Sequence, residues 1–359
     1  MPNSNIQVIA KPIGSVCNLN CAYCFYLEKE KLFPKNENFR MPPQVLSAFI
    51  GQYDGEFVWQ GGEPTLLGLE YFREVIKLQE RFHPGTKVRN CLQTNGILLD
   101  DQWCAFLKQN DFLVGISLDG PQEVHDIYRR DRQRAGTFEK VLKGLRLLKK
   151  YKVEFNVLAS VARETAKKPL EVYRFLRSEG VEFIQFTPIV ERDEKGGILP
   201  WTVEPESYGD FLIKIFDEWV KMDAGKVFVM NFEWALNAWV GDPSPICLFA
   251  ENCGGCLVIE HNGDVYSCDH YVYPSRRLGN ILENELNSLA ELPAQKAFGA
   301  LKSSSLPAKC TSCEYLFACR GECPKREQYL CAGYKKYFKH IAGAMENMRD
   351  QLKTGIMRA

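Results

Sequence analysis

Val16-Cys17-Asn18-Leu19-Asn20-Cys21-Ala22-Tyr23-Cys24-Phe25-Tyr26 carries three cysteines, with three residues and then two between them. Closely spaced thiolates hold iron–sulfur clusters. A cubane offers four iron corners, and this stretch fills three. The next cysteine is Cys91, so no local fourth ligand exists. One iron is left open for a small ligand, and an open corner is a place for chemistry. Two plainer readings stand beside this one: three reduced thiols in a loop, or a zinc site completed by a distant ligand.

The surrounding chain sets bounds. At 359 residues it exceeds one ordinary core and predicts a large domain plus a smaller one. Apolar residues make up 45%, enough for a sizeable interior. Lysine plus arginine equals aspartate plus glutamate, 45 each, which argues against a general nucleic-acid binder. No apolar run is long enough for a membrane helix. Met1-Pro2-Asn3-Ser4-Asn5 does not open a signal peptide. Fourteen cysteines without an export signal predict metal or redox use in the cytoplasm rather than a disulfide scaffold.

Patterning predicts strands at 6–12, 56–60, 88–94, 112–118, 155–161 and 183–190. Helices are expected between them, at 42–50, 69–82, 101–109, 137–150 and 169–178. Val141, Leu142, Leu145 and Leu148 mark the buried face of the helix at 137–150. Such alternation means parallel strands joined by right-handed crossovers. Periodicity alone does not separate a barrel from a doubly wound sheet. In a barrel the chemistry collects where strands end. Further helices are expected at 208–222, 231–240 and 334–353. Between 247 and 331 helical periodicity fades into cysteines and Gly, Pro and Asn turns.

That stretch holds Cys247, Cys253, Cys268, Cys310, Cys313, Cys319, Cys323 and Cys331, besides Cys256. Eight thiolates make two four-thiolate sites. A pair of zinc ribbons is the plainer alternative, since Cys310 and Cys313 have zinc-knuckle spacing. Cys91 and Cys104 read as buried structural thiols. Cys256 lies in a plausible ligand loop and could replace Cys253.

Cys17, Cys21, Tyr23 and Cys24 resemble the cluster motif of radical S-adenosylmethionine (SAM) enzymes. The resemblance implies a partial six-unit β/α barrel, with SAM chelating the open iron and yielding a 5′-deoxyadenosyl radical. Cys253, Gly263, Cys268, Cys310, Cys313, Cys319, Cys323 and Cys331 resemble the SPASM module, which holds auxiliary clusters. It implies one [4Fe-4S] cluster on Cys247, Cys253, Cys268 and Cys323, and another on Cys310, Cys313, Cys319 and Cys331. With the cluster at Cys17, Cys21 and Cys24 the total is three. The expected division is 1–234 for the barrel, 235–333 for the SPASM domain and 334–359 for a terminal helix.

Gln60-Gly61-Gly62-Glu63-Pro64 resembles the family's motif for the SAM amino group, with Gly62 as its central residue. By the same resemblance Tyr23 and Val190 line the adenine, Ser117 meets the ribose and Arg129 the carboxylate. From the residues alone, Gly-Gly is a strand-ending turn and Arg129 a solvated charge.

Asp269 follows Cys268 directly. A turn cap is its plainer role. An ionised carboxylate beside a cluster could also take a proton while the cluster takes an electron. That is the balance needed to oxidise a cysteine or serine side chain to a thioaldehyde or aldehyde. The whole set resembles anaerobic sulfatase-maturating enzymes. It includes 11–18, 58–64, 92–96, 117–120, 268–270 and 278–280. These enzymes convert a sulfatase cysteine or serine to Cα-formylglycine. The resemblance implies Asp269 as general base, a structural role for His270, a sulfatase polypeptide partner and an electron donor such as flavodoxin or ferredoxin. It implies no nucleic-acid or membrane partner. The rival expectations are another SPASM peptide-modifying enzyme, making a crosslink or an epimer, and a non-catalytic zinc-binding interaction protein.

Overall fold

A computed structural model describes residues 6–34 and 37–354. Ten strands are present: β1 (Gln7–Lys11), β2 (Phe57–Trp59), β3 (Asn90–Thr94), β4 (Phe112–Ser117), β5 (Glu154–Val161), β6 (Phe183–Pro188), β7 (Phe228–Val229), β8 (Cys256–Glu260), β9 (Asp264–Tyr266) and β10 (Arg277–Asn280). The main helices are α1 (Pro43–Gln52), α2 (Leu69–Phe82), α3 (Asp101–Gln109), α4 (Gln122–Tyr128), α5 (Phe138–Lys150), α6 (Pro169–Ser178), α7 (Pro205–Met222) and α8 (Met230–Val240), and a terminal helix runs over Cys331–Lys353. The six expected strand–helix alternations are all present, in a mixed α/β sheet with parallel strands.

Local chemistry starts these helices. Proline occupies the first turn of α1, α6 and α7, where its missing N–H costs nothing. Asp100 caps α3 by accepting from the Trp103 N–H at 2.8 Å. The apolar stripe expected on α5 is buried at Val141, Leu142, Leu145 and Leu148.

The chain packs as two compact units. The first contains the described residues of Met1–Ser117, Tyr128–Phe155 and Gly254–Ala300; the second those of Leu118–Ile127, Asn156–Cys253 and Leu301–Ala359. The expected division at 234 and 333 follows chain order, whereas these units interleave along the chain. In the first unit β2 pairs parallel with β1 and β3, and β3 with β4. β8 also pairs parallel with β1, setting Lys11 opposite Glu260. β9 and β10 continue antiparallel. A core of Phe49, Tyr53, Phe57, Trp59, Phe72 and Phe112 backs the sheet. In the second unit β6 pairs parallel with β5 and β7.

Strands β8 to β10 were not anticipated from the sequence. The hairpin signal was nevertheless present: Asn262-Gly263 lies between two apolar runs. Gly263 takes φ +89°, and a Cβ there would meet Asn280 at 3.0 Å. The turn conformation thus gives this glycine a structural reason.

In the second unit α7 and the terminal helix meet through Gly209 and Gly333. A Cβ on Gly333 would lie 1.9 Å from the Pro205 carbonyl oxygen. Backbone cannot yield as a side-chain tip does, so Gly333→Ala must separate the helices. Overpacking of this kind costs about 1–3 kcal/mol. The expected outcome is a lowered midpoint in thermal or urea unfolding, while Gly343→Ala, inside the same helix and in open space, raises it slightly, alanine being favoured over glycine there by about 0.5–1 kcal/mol.

Candidate active site

The Cys17 loop leaves β1 and is pinned on both flanks. Asn20 and Ala22 donate their N–H groups to the carbonyls of Arg130 and Tyr128, at 2.8 and 3.1 Å. Arg132 donates its Nε–H to the Cys17 carbonyl at 2.9 Å. Below the loop, Gly62 donates to the Gly14 carbonyl at 2.7 Å, and Glu63 to that of Val16 at 2.9 Å. A Cβ on Gly62 would lie 1.9 Å from the Val16 oxygen, so only glycine allows this approach. The Gly-Gly pair therefore fixes the cysteine loop against the end of β2.

Glu63 is buried and fully satisfied. It accepts from the Thr65 hydroxyl at 2.6 Å, the Thr94 hydroxyl at 2.7 Å and the Asn95 N–H at 2.7 Å. Burial raises its carboxyl pKa, and those donors pull it back down. The Asn95 amide reaches Asn18 at 2.7 Å and the Cys17 sulfur at 3.8 Å. The ends of β2 and β3 are thereby tied to the first cysteine.

Burial pushes the Cys17 thiol up to about 11, while the Leu19 N–H, 3.3 Å from its sulfur, works the other way. Burial also raises Cys24, and Arg129 and Lys11 oppose it. Cys17 and Cys24 are close enough to feel one another's charge. Buried thiols crowded together beside fixed cations are poorly suited to staying free and well suited to a metal, which removes their protons on binding. These three residues fit an iron–sulfur cluster with one iron free of protein ligands. Tyr23 packs on Tyr128 with ring centroids 5.7 Å apart, and the Arg129 guanidinium lies 5.5 Å from the Tyr23 ring. Ser117 is buried at the end of β4. Tyr23, Arg129 and Ser117 belong to the first unit, and half-buried Val190, beyond β6, to the second.

Asp269 opens a 3-10 turn after β9. Its carboxylate lies 2.5 Å from the Lys11 ammonium, with Lys11 1% exposed and Asp269 16%. Burial works to raise the Asp269 pKa; Lys11, His270 and Lys29 outweigh it and hold the group below its ordinary value. The Lys11 ammonium also lies 4.4 Å from the Tyr26 ring centre. The Tyr26 hydroxyl donates to buried Glu260, which faces His261 at 3.4 Å. His261 in turn meets Glu37 at 3.0 Å. Around them Tyr26, Val258, Tyr266 and Val272 form an apolar cluster, against which Ile9, Cys24 and Phe25 pack. The His270 ring lies against Phe25, centroids 4.8 Å apart.

None of the fourteen cysteines is in a disulfide. In the second unit Cys310, Cys313, Cys319 and Cys331 line one cavity, closed by Tyr315, Leu316 and Phe338. Cys331 begins the terminal helix, three residues earlier than expected. Cys247, Cys253 and Cys323 form a second group whose members feel one another's charge. Cys268, immediately before Asp269, lies in the first unit. Cys256 begins β8, with Tyr53 in its electrostatic reach. Among the described residues no three His, Cys, Asp or Glu side chains converge as ligands of one metal ion.

Two residues with evident roles were overlooked at the level of sequence. Lys11 had a signal: a lysine closing an apolar strand, where burial demands a partner. Lys302 had none, since it sits among ordinary helix residues.

Residues 12–176 match the Radical SAM superfamily, and 247–314 an iron–sulfur cluster-binding domain termed SPASM. The chain is 41% identical to a serine-type anaerobic sulfatase-maturating enzyme of Bacteroides thetaiotaomicron, covering 97% of this chain and 92% of that one. It is 33% identical to a cysteine-type enzyme of Clostridium perfringens, over 97% and 99%. A solved structure, native anSMEcpe with bound AdoMet and Cp18Cys peptide, superposes with a TM-score of 0.87 at 33% identity, covering 96% and 99%. A cysteine loop at the end of the first strand, a Gly-Gly turn beneath it, two further cysteine groups and this likeness along nearly the whole length agree. The chain belongs to the anaerobic sulfatase-maturating enzymes, a family of radical SAM enzymes with a SPASM domain.

Proposed function

We propose that this enzyme oxidises a cysteine or serine of a sulfatase polypeptide to Cα-formylglycine without oxygen. The observation that carries this reading is the buried Asp269–Lys11 pair, immediately after Cys268, in the same unit as the Cys17 loop. Cys17, Cys21 and Cys24 would hold a [4Fe-4S] cluster that, with SAM, would supply the chemistry for removing one hydrogen atom from the substrate Cβ, and the later cysteines would hold an auxiliary cluster as electron acceptor.

The chain's residues do the remainder. The substrate radical must lose one electron and one proton to become a carbonyl or thiocarbonyl. The proton leaves the hydroxyl or thiol, and Asp269 is the group to take it. Lys11 keeps that carboxylate ionised and fixed in direction. A serine gives the aldehyde directly; a cysteine gives a thioaldehyde that water hydrolyses. Gly62 contributes its carbonyl side to the SAM amino group, its N–H being held by Gly14. Arg129 is the carboxylate partner, Ser117 the ribose partner, and Tyr23 with Val190 the adenine lining. Cys247, Cys253, Cys268 and Cys323 hold one auxiliary cluster, and Cys310, Cys313, Cys319 and Cys331 the other, three clusters in all. A small electron-transfer protein such as flavodoxin or ferredoxin supplies reducing equivalents. Fourteen cysteines without a disulfide suit the reducing cytoplasm. No helix among the described residues is long and apolar enough to cross a membrane.

The anaerobic protein with SAM, dithionite and sulfatase-derived peptides, one bearing cysteine and one serine, is expected to give a product that reacts with a hydrazine probe. An epimer or a crosslink with no aldehyde would overturn the assignment. Iron and sulfide determination is expected to return twelve of each per chain, the content of the three clusters proposed above. Asp269→Asn is expected to retain both and still cleave SAM, while peptide oxidation falls roughly 10²–10⁴-fold, the usual contribution of a positioned base. Full peptide oxidation by that variant would remove Asp269 from its role.

A further inference from the structure

Lys302 lies on the helix Pro293–Ser304 and is 2% exposed. Its ammonium donates to the carbonyls of Cys247 at 2.7 Å and Leu248 at 2.9 Å. Those carbonyls orient the ammonium and carry no net charge to balance it. Among the described residues no carboxylate forms an ion pair with it. Glu322, the acid facing it, is itself paired with Arg326 at 3.6 Å and accepts from the Leu330 N–H at 3.0 Å. Burying an ammonium without a counter-charge costs several kcal/mol. The negative groups that do surround Lys302 are the sulfurs of Cys253, Cys247, Cys323 and Cys319. An ammonium held by two uncharged carbonyls in the interior finds its counter-charge in these sulfurs when they are thiolates.

We propose that Lys302 is a positioning residue for electron transfer, whose fixed positive charge raises the reduction potential of the auxiliary site at Cys247, Cys253 and Cys323. This rests on the reading that those thiolates hold an iron–sulfur cluster. Reduction adds one negative charge to a cluster, and a cation held beside it favours that state. Net charge and hydrogen bonds near the sulfurs are among the levers that set cluster potentials. The other auxiliary site is differently placed: the ammonium is held on the Cys247 side, and of the four sulfurs Cys319, which belongs to that other site, feels it least. Cys310 and Cys319 feel the buried carboxylate of Glu322, and the cation near Cys310 is Lys309, which is exposed and screened by water. The asymmetry makes the Cys247 site the easier one to reduce, hence the one fitted to take an electron from substrate.

The test uses the full chain carrying Cys17→Ala, Cys21→Ala and Cys24→Ala, so that only the auxiliary sites remain. Reconstituted protein is titrated reductively and followed by electron paramagnetic resonance, alongside Lys302→Gln and Lys302→Arg in the same background. Gln keeps donors for the two carbonyls and removes the charge; Arg keeps the charge. With iron and sulfide unchanged, Lys302→Gln is expected to move the more positive of the two waves to lower potential, and by more than it moves the other. Lys302→Arg is expected to hold both. An unmoved wave in Lys302→Gln overturns the proposal. So does loss of iron from both variants, which would make Lys302 a structural residue only. Absence of auxiliary signals in the parent protein overturns the cluster reading and the role of Lys302 with it, a failure distinct from an unmoved wave.

Discussion

A lysine ammonium buried at the end of β1 constrains everything around it. Lys11 cannot stay charged in an apolar interior without an opposite charge and good hydrogen-bond geometry. The parallel pairing of β8 with β1 supplies the neighbourhood. It sets Glu260 across from Lys11 and, through the tight turn at Gly263, returns the chain as β9 so that Asp269 arrives 2.5 Å from the ammonium. The ring of Tyr26, two residues past Cys24, closes the other side. Strand pairing, cluster loop and candidate base thus share one interaction. A shift of β8 by one residue would send its side chains to the opposite face of the sheet and uncouple all three.

Around that pair the first unit is organised by backbone approach more than by side-chain volume. Gly62 lies so close to Val16 that no side chain fits, and its N–H is spent on Gly14. Glu63 then gathers four donors from the ends of β2 and β3, and Asn95 hands the connection to Asn18 and Cys17. A buried carboxylate is tolerable there because every donor it needs is supplied. A loop tied in this way is ordered by the protein itself, and preorganisation of that kind lowers the cost of ordering on binding.

The second unit handles charge differently. Its two cysteine groups share the neighbourhood of Glu322, Arg326 and Lys302, three buried ionisable residues of which two pair with one another. The leftover cation is held by the Cys247 and Leu248 carbonyls, on the side of one group of sulfurs.

Much of this was legible in the sequence. The spacing of Cys17, Cys21 and Cys24, the strand–helix alternation and the late cysteine run are local patterns. Periodicity and short spacing need no knowledge of what packs where. The strands β8 to β10 were hidden because their cysteines and turn residues masked a hairpin that the Asn262-Gly263 pair announces. The interleaving of the two units, the use of Cys256 in a strand, and the partners of Lys11 and Lys302 were decided only by the tertiary structure. Each depends on groups brought together from more than fifty residues away, and burial, which makes such charges matter, is a property of the folded chain.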